Sequence, residues 1–204
     1  GCSALVNMTG VIGTPAAGIT RRLGQFNSQN GVFFESAPSG VRVVKRSYTS
    51  GSAVDTAVAQ SSWNIDKLDG TGVSGHTLDF SKTHIFTIQY QWLGVGDVLF
   101  GFNIGGEFVP CHKMAHANLL ATVYMTTASL PLRYEISNDG TGGAANITQI
   151  CCAVMSEGGT ADPGHQRSLV RDSPLTTGNN TSYYPVAAIQ LQSGRSSATC
   201  AIDS

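Results

Sequence analysis

Six residues, Gly70 to Gly75, spell GTGVSG and match the G-x-G-x-x-G pattern of dinucleotide-binding enzymes. In those enzymes the glycines follow a strand and open a helix whose N-terminus holds a pyrophosphate. Here the polar segment DKLD precedes the glycines, and HTLDFSKTHIF, which leads into a strand, follows them. Because the flanking elements are in the wrong order, the sequence predicts a glycine-rich loop before a strand rather than a nucleotide site.

The aspartates around these glycines could suggest a calcium loop. Asp66, Asp69 and Asp79 lie close together in the chain, but the ligand alternation of an EF-hand and its closing Glu are missing. We therefore expect Asp69 to stabilise a turn by accepting hydrogen bonds from nearby backbone amides.

A second group of potential metal ligands lies in CHKMAH, where Cys111, His112 and His116 fall within six residues. Thiolate and imidazole are good zinc ligands, but a structural site usually needs four, and no C-x-x-C accompanies these. On one strand His112 and His116 would share a face roughly 13 Å apart, too far for one ion. The sequence predicts no metal site here.

Patterns that would indicate catalysis are missing from the sequence. It contains no G-x-S-x-G elbow for an esterase and no pair of carboxylates that stands out for a glycosidase. We therefore expect a protein that is not an enzyme, with no catalytic residues and no cofactor.

Composition narrows the class further. The chain has 204 residues, a net charge of −1 and only 12% charged residues, about half the usual share. Lys and Arg are scattered, so no basic stripe for nucleic acid is visible, and no apolar run of about 18 residues indicates a membrane span. A surface with so little charge suggests that other subunits cover part of it.

Apolar residues recur every second position, which indicates strands. HIFTIQYQW alternates Phe86, Ile88, Tyr90 and Trp92 with polar residues, and VLFGFNI and EFVPCHK flank a Gly105-Gly106 turn. Further strands are predicted at GVFFE, VRVVKRSY, LPLRYEI, NITQICCAVM and VAAIQLQ, whereas SSWNIDKLD offers one turn of helix. The expected fold is all-β, an antiparallel β-sandwich with very little helix.

Three regions follow from this pattern: a sandwich core at 1–156, a long polar loop or arm at 157–182, and a further strand at 183–204. Among the five cysteines, Cys151 and Cys152 are adjacent, so on a strand their side chains point to opposite faces. We expect reduced thiols that act as small hydrophobes in a reducing compartment.

Three segments resemble virion structural proteins of tailed bacteriophages and large double-stranded DNA viruses. They are NGVFFE, the stretch from AQSSWNIDKLDGTGVSGHTLDF to FNIGGEFVPCH, and ANLLATVYMTTASLPLRYEISN. The likeness covers about Gly31 to Gly159 and includes ICCAVMSEGG. It implies a jelly-roll-like subunit, present as the central portion of a longer protein and without catalytic residues.

The resemblance implies a function in the virion, after assembly in the host cytoplasm, as a minor capsid, cement or decoration protein. The expected partners are other copies of the chain, a trimer among the candidates, and other virion proteins. The alternative is a tail or fibre component that binds a host glycan. Trp63, Tyr183 and Tyr184 are the candidate glycan or subunit contacts, although burial is the commoner fate of such rings.

Overall fold

Short strands make up most of the computed structural model, which describes residues 3–91, 94–127 and 129–157 of the chain. Within these residues there are ten strands and one turn of 3-10 helix, Gln60–Ser62. The strands are β1 (Ser3–Val11), β2 (Ile19–Phe26), β3 (Gly31–Ala37), β4 (Gly40–Ser47), β5 (Val54–Ala59), β6 (His84–Gln91), β7 (Val98–Ile104), β8 (Glu107–Met114), β9 (Leu132–Asn138) and β10 (Thr148–Glu157). No helix in the described part of the chain is long and apolar enough to cross a membrane.

The strands form two antiparallel sheets of five. Sheet 1 has the order β10-β1-β6-β7-β8, and sheet 2 has the order β5-β4-β3-β2-β9. The two sheets pack face to face, so the predicted all-β antiparallel sandwich with very little helix is confirmed. β2 to β5 and β6 to β8 run as meanders, whereas the late strands β9 and β10 return beside β2 and β1.

Phenylalanine rings join the two sheets at the centre of the core. The ring of Phe34 in β3 lies 5.2 Å from that of Phe86, 5.4 Å from Phe100 and 5.1 Å from Phe102. All four side chains are at most 1% exposed. Edge-to-face and tilted contacts at these distances add to the hydrophobic gain of burial.

Buried polar groups in the core are paired across the sandwich. The hydroxyl of Tyr90 donates to Oε1 of Gln25 at 2.7 Å, and Nε2 of Gln25 donates to the carbonyl of Leu130 at 2.9 Å. Burial raises the pKa of Tyr90 to about 12, so this hydroxyl keeps its proton at neutral pH. The hydrogen-bonded chain Tyr90–Gln25–Leu130 thus links β6, β2 and the segment before β9.

The hairpins have the turns that the sequence predicts. Ile104 pairs with Glu107, which leaves Gly105 and Gly106 as the two turn residues, with φ of 63° and 91°. Positive φ at both central positions is what a type I′ turn requires, and glycine adopts it without a Cβ clash.

Two details differ from the sequence-based expectations. The helical turn predicted within SSWNIDKLD lies at Gln60–Ser62 and ends before Trp63, since Asp66 and Leu68 belong to the following loop. The sandwich extends through Glu157, the last residue of β10. The rest of the predicted arm and the strand at 183–204 lie outside the described residues.

The Phe34 contacts predict a large cost for truncating this ring. We expect Phe34→Ala to lower the free energy of unfolding by about 3–5 kcal/mol, because it leaves a cavity between the two sheets. Urea denaturation followed by tryptophan fluorescence measures this change. Val73→Ala is the control, since Val73 is 99% exposed and should change stability little. Equal effects for the two variants would contradict the assignment of Phe34 as the central contact.

Candidate functional site

The GTGVSG segment wraps around the buried carboxylate of Asp66. Oδ1 of Asp66 accepts the backbone N–H of Leu68 and Oδ2 accepts that of Ser74, both at 2.8 Å. Gly72 lies so close that a Cβ there would be 1.9 Å from Oδ1. The segment is a loop, as predicted, and Gly72 allows its backbone to approach a carboxylate of the same chain.

The same loop is tied to the sandwich. The carbonyl of Cys111 accepts the N–H groups of both Ile65 and Asp66 at 3.1 Å. Cys111 is the unpaired residue of an irregularity in the pairing of β8 with β7. The β-bulge frees this carbonyl from the ladder, so the sheet itself positions Asp66.

Hydrogen bonding decides the ionisation of Asp66. Burial would raise its pKa, but the hydrogen bonds from Ser74 and Leu68 outweigh this effect and lower the pKa below its usual range. The group is therefore a charged carboxylate at neutral pH, with its charge directed at backbone amides of its own loop.

The neighbouring aspartates also accept hydrogen bonds from residues close to them in the chain. Oδ1 of Asp69 accepts the N–H of Thr71 at 3.0 Å and its hydroxyl at 2.6 Å. Asp79 makes the matching pair of bonds to Ser81, at 2.9 and 2.6 Å. The prediction that Asp69 stabilises a turn is confirmed. In the described ranges, no three His, Cys, Asp or Glu side chains come together as a metal site would require.

Cys111, His112 and His116 each have a separate environment. Cys111 is fully buried in the core, and burial raises the pKa of its thiol, which stays protonated. Nδ1 of His112 accepts the N–H of Asn64 at 3.2 Å, and burial lowers the pKa of this imidazole. Nε2 of His116 donates to the carbonyl of Thr122 at 2.5 Å. Each of the three side chains is thus held by different partners.

The candidate contact residue Trp63 is a core residue. It is 4% exposed, its indole lies 6.3 Å from the ring of Phe102, and its Nε1 donates to the carbonyl of Val58 at 3.3 Å. Its ring face is thus not presented to a sugar or to another subunit, which corrects that expectation. Tyr183 and Tyr184 lie outside the described residues, and their part in binding stays a prediction.

The charged side chains on the outer face of sheet 2 form ion pairs with one another. Nε of Arg22 donates to Glu35 and its Nη1 donates to Glu135, both at 2.6 Å, and Arg42 also pairs with Glu35. Register places Glu135, Arg22, Glu35 and Arg42 in one row across β9, β2, β3 and β4. Such a row of alternating charge needs no partner from outside.

Arginines also cover the aromatic residues of this face. The ring of Phe33 lies opposite Gly24 and is fully buried. The guanidinium groups of Arg22 and Arg46 lie 5.9 and 5.2 Å from its ring centre. The arginine side chains thus cover the aromatic residues of this face with their aliphatic stems and make cation–π contacts with them.

The outer face of sheet 1 has a different chemistry. The register places its outward positions in four cross-strand rows, Glu157–Ser3–Gln91, Met155–Leu5–Gln89–Leu99–Lys113, Ala153–Asn7–Thr87–Gly101 and Cys151–Thr9–Ile85–Asn103–Phe108. We call this surface the open face. The charged residues in these rows lie at one end of the sheet: Lys113, which pairs with Asp97 at 3.2 Å, and Glu157 in β10.

Apolar side chains of the open face remain accessible. The ring of Phe108 lies over Gly101, where a Cβ would be 2.5 Å from a ring carbon, much as Phe33 lies over Gly24 on the other sheet. Phe108 is nevertheless 37% exposed, Ile85 39% and Met155 46%. The outer face of sheet 2 is therefore covered by its own side chains, and the open face is not.

A shallow groove of about 430 Å³ borders the open face at the end near the glycine loop. Thr9, Thr83, His84 and Asn103 line it together with His76 to Leu78 of that loop. Hydroxyl, amide and imidazole groups can hydrogen-bond a neutral polar ligand such as a sugar.

Cys151 and Cys152 are free thiols on opposite sides of β10, as predicted. Cys151 is exposed in the outermost row of the open face, whereas Cys152 packs against the core.

No family model, no curated protein and no solved structure matches this chain. The resemblance to virion structural proteins therefore stays a prediction.

Asp66→Asn tests the part that the charged carboxylate plays in the loop. The amide nitrogen of Asn would face a backbone N–H, so we expect a loss of about 1–3 kcal/mol in the free energy of unfolding at neutral pH. The pKa of Asp66 is depressed in the folded protein, so its stabilisation is present above the usual value of 3.8 and is lost as pH falls through the folded-state pKa. The gap between wild type and Asp66→Asn should therefore narrow below about pH 4.

Urea denaturation at neutral pH and at about pH 3 measures this gap. Asp69→Asn is the control, since its turn is exposed and the loss should be smaller. A gap that stays the same at both pH values would contradict a contribution from the charge of Asp66.

Proposed function

We propose that this chain is a structural subunit of a virus particle that acts by packing against other subunits, as a minor capsid, cement or decoration protein. The open face is the observation that carries the proposal. It joins exposed apolar side chains, such as Phe108 and Ile85, to amides and hydroxyls, and its few charged residues lie at one end. Such a surface costs little to desolvate, because few charges lose water.

The size of the open face fits a contact between subunits. Five strands spaced about 4.8 Å apart, with about eight residues of 3.3 Å each, give roughly 600 Å² per subunit. A pair of such surfaces buries roughly 1,200 Å², which is at the lower limit of specific interfaces. Loops at the rim would add to this area.

The chemistry of the open face also suits repeated packing. Asn7 and Asn103 are half-buried on this face and carry amide groups, which can both donate and accept hydrogen bonds. A surface of this kind can pair with another uncharged surface without a matching pattern of charges. By contrast, the ion pairs of Arg22, Glu35 and Arg42 on the other sheet are already satisfied within the chain.

The segments that carry the resemblance shape the architecture around this surface. HIFTIQYQ, VLFGFNI and EFVPCHKM form β6, β7 and β8, which supply most of the open face. The glycine loop between Asp66 and Thr77 borders the groove beside it. This agreement between resemblance and architecture supports the proposal of a shared structural function.

Locating the chain in intact particles tests the proposal. We expect mass spectrometry to find it in purified particles of the virus that encodes it, and a density map to show it on the capsid with the open face against a neighbouring subunit. Absence from the particles, or an open face turned to solvent in them, would contradict the proposed function.

The groove beside the open face favours a second candidate, a tail or fibre component that binds a host glycan. Its lining of Thr9, His84 and Asn103 offers several hydrogen-bonding groups to a neutral sugar. A glycan array tests this: binding that is lost in Asn103→Leu, or in Tyr183→Ala or Tyr184→Ala, and kept in Val73→Ala would favour it over the capsid function. An array without reproducible binding would leave the capsid function as the better candidate.

A further inference from the structure

Three of the four sheet edges carry features that discourage pairing with another strand. β8 contains Glu107, Pro110 and Lys113 and is bulged opposite β7. β9 contains Arg133 and Glu135, and β5 has only six residues and includes Asp55. Charges, proline, bulges and short length are the usual means by which proteins protect an edge strand.

The fourth edge, β10, lacks most of this protection. It has an irregularity at Ile150 and a charge at its last residue, Glu157, but the stretch from Cys151 to Ser156 pairs regularly with β1 and contains no charged residue and no proline. Val154 and Met155 in this stretch are 45% and 46% exposed. Among the described strands, β1 is the only neighbour of β10.

We infer that β10 pairs antiparallel with β10 of a second copy of this chain. This inference rests on the proposed packing function, and it names a second copy of the chain as the partner at the β10 edge. In such a contact the N–H and C=O groups of each β10 that point away from β1 bond to those of its mate, as in strand addition at a sheet edge. A two-fold axis normal to the sheet relates the copies, so the contact closes as a dimer.

Charge favours a second copy as the occupant. In an antiparallel two-fold contact the residues near the axis meet the same residues of the mate, so a charge near the centre of the strand would face a like charge. Cys151 to Ser156, the stretch at the centre of the proposed contact, carries no charge. The paired sheets would also present both open faces on the same side, which doubles the uncharged surface available to a further subunit.

Charge-reversal variants of Ala153 test the inference in the full-length chain. Ala153 is exposed and lies near the middle of the regular stretch, so the folded monomer should tolerate a charge there. We expect Ala153→Lys and Ala153→Glu each to raise the dimer dissociation constant about tenfold or more, since two like charges meet across the axis. An equimolar mixture of the two variants should restore association, because opposite charges then meet.

Sedimentation velocity over a range of concentrations gives the dissociation constants. Val73→Lys is the matched control, with the same change of charge at a site that is 99% exposed, and it should associate like the wild type. Circular dichroism checks that each variant is folded. Met155→Lys is a second variant with an exposed position in the same strand.

Several results would overturn the inference. If the Ala153 variants associate like the wild type, or if mixing them restores nothing, β10 is not the contact. If Ala153→Lys and Met155→Lys both unfold the chain, these positions are needed within the subunit and the edge is not open to a second copy. If Phe108→Glu weakens association while the Ala153 variants do not, open-face packing stands without β10 pairing. A wild type that stays monomeric throughout would overturn the β10 pairing, while the proposed packing in the particle is tested separately by its location there.

Discussion

The contact between the two sheets through Phe34 is the constraint on which the other features depend. Side chains alternate along a strand, so once Phe34 faces Phe86, Phe100 and Phe102, its neighbours Phe33 and Glu35 must face outward. The register of hydrogen bonding then fixes the side-chain orientation in the neighbouring strands, and so determines which residues share each outer row. The composition of both outer faces is therefore a consequence of how the core is packed.

The two outer faces differ greatly in how many charged residues they carry. On sheet 2, Glu35 is buried between Arg22 and Arg42, and arginine side chains cover the neighbouring aromatic rings. On sheet 1 the corresponding surface has amides, hydroxyls and partly exposed apolar groups. Taking charged side chains out of water is costly even when they are paired, so sheet 2 is suited to remain at the surface, whereas the open face is suited to be covered. This difference is the physical basis of the proposed packing function.

The sequence predicts the elements whose pattern is local. β6, β7 and the Gly105-Gly106 turn follow directly from alternation and turn residues, and the loop at GTGVSG follows from its flanks. β2 was not predicted, because Arg21 and Gln25 point inward and find partners 125 and 105 residues away. β5 is exposed at nearly every position and so has no alternation to detect. The open face could not be predicted, since its rows combine five strands whose register appears only in the folded sandwich.

The most direct test of the central claim, that another subunit covers the open face, is the reactivity of Cys151, which is exposed in its outermost row. Maleimide modification of the full chain, followed by peptide mass spectrometry, gives the rate at this thiol separately from the other cysteines. The structure predicts that this rate falls as protein concentration rises and subunits associate, while a cysteine introduced as Val73→Cys reacts at a constant rate. A Cys151 rate that is independent of concentration, in a protein that does associate, would contradict the claim.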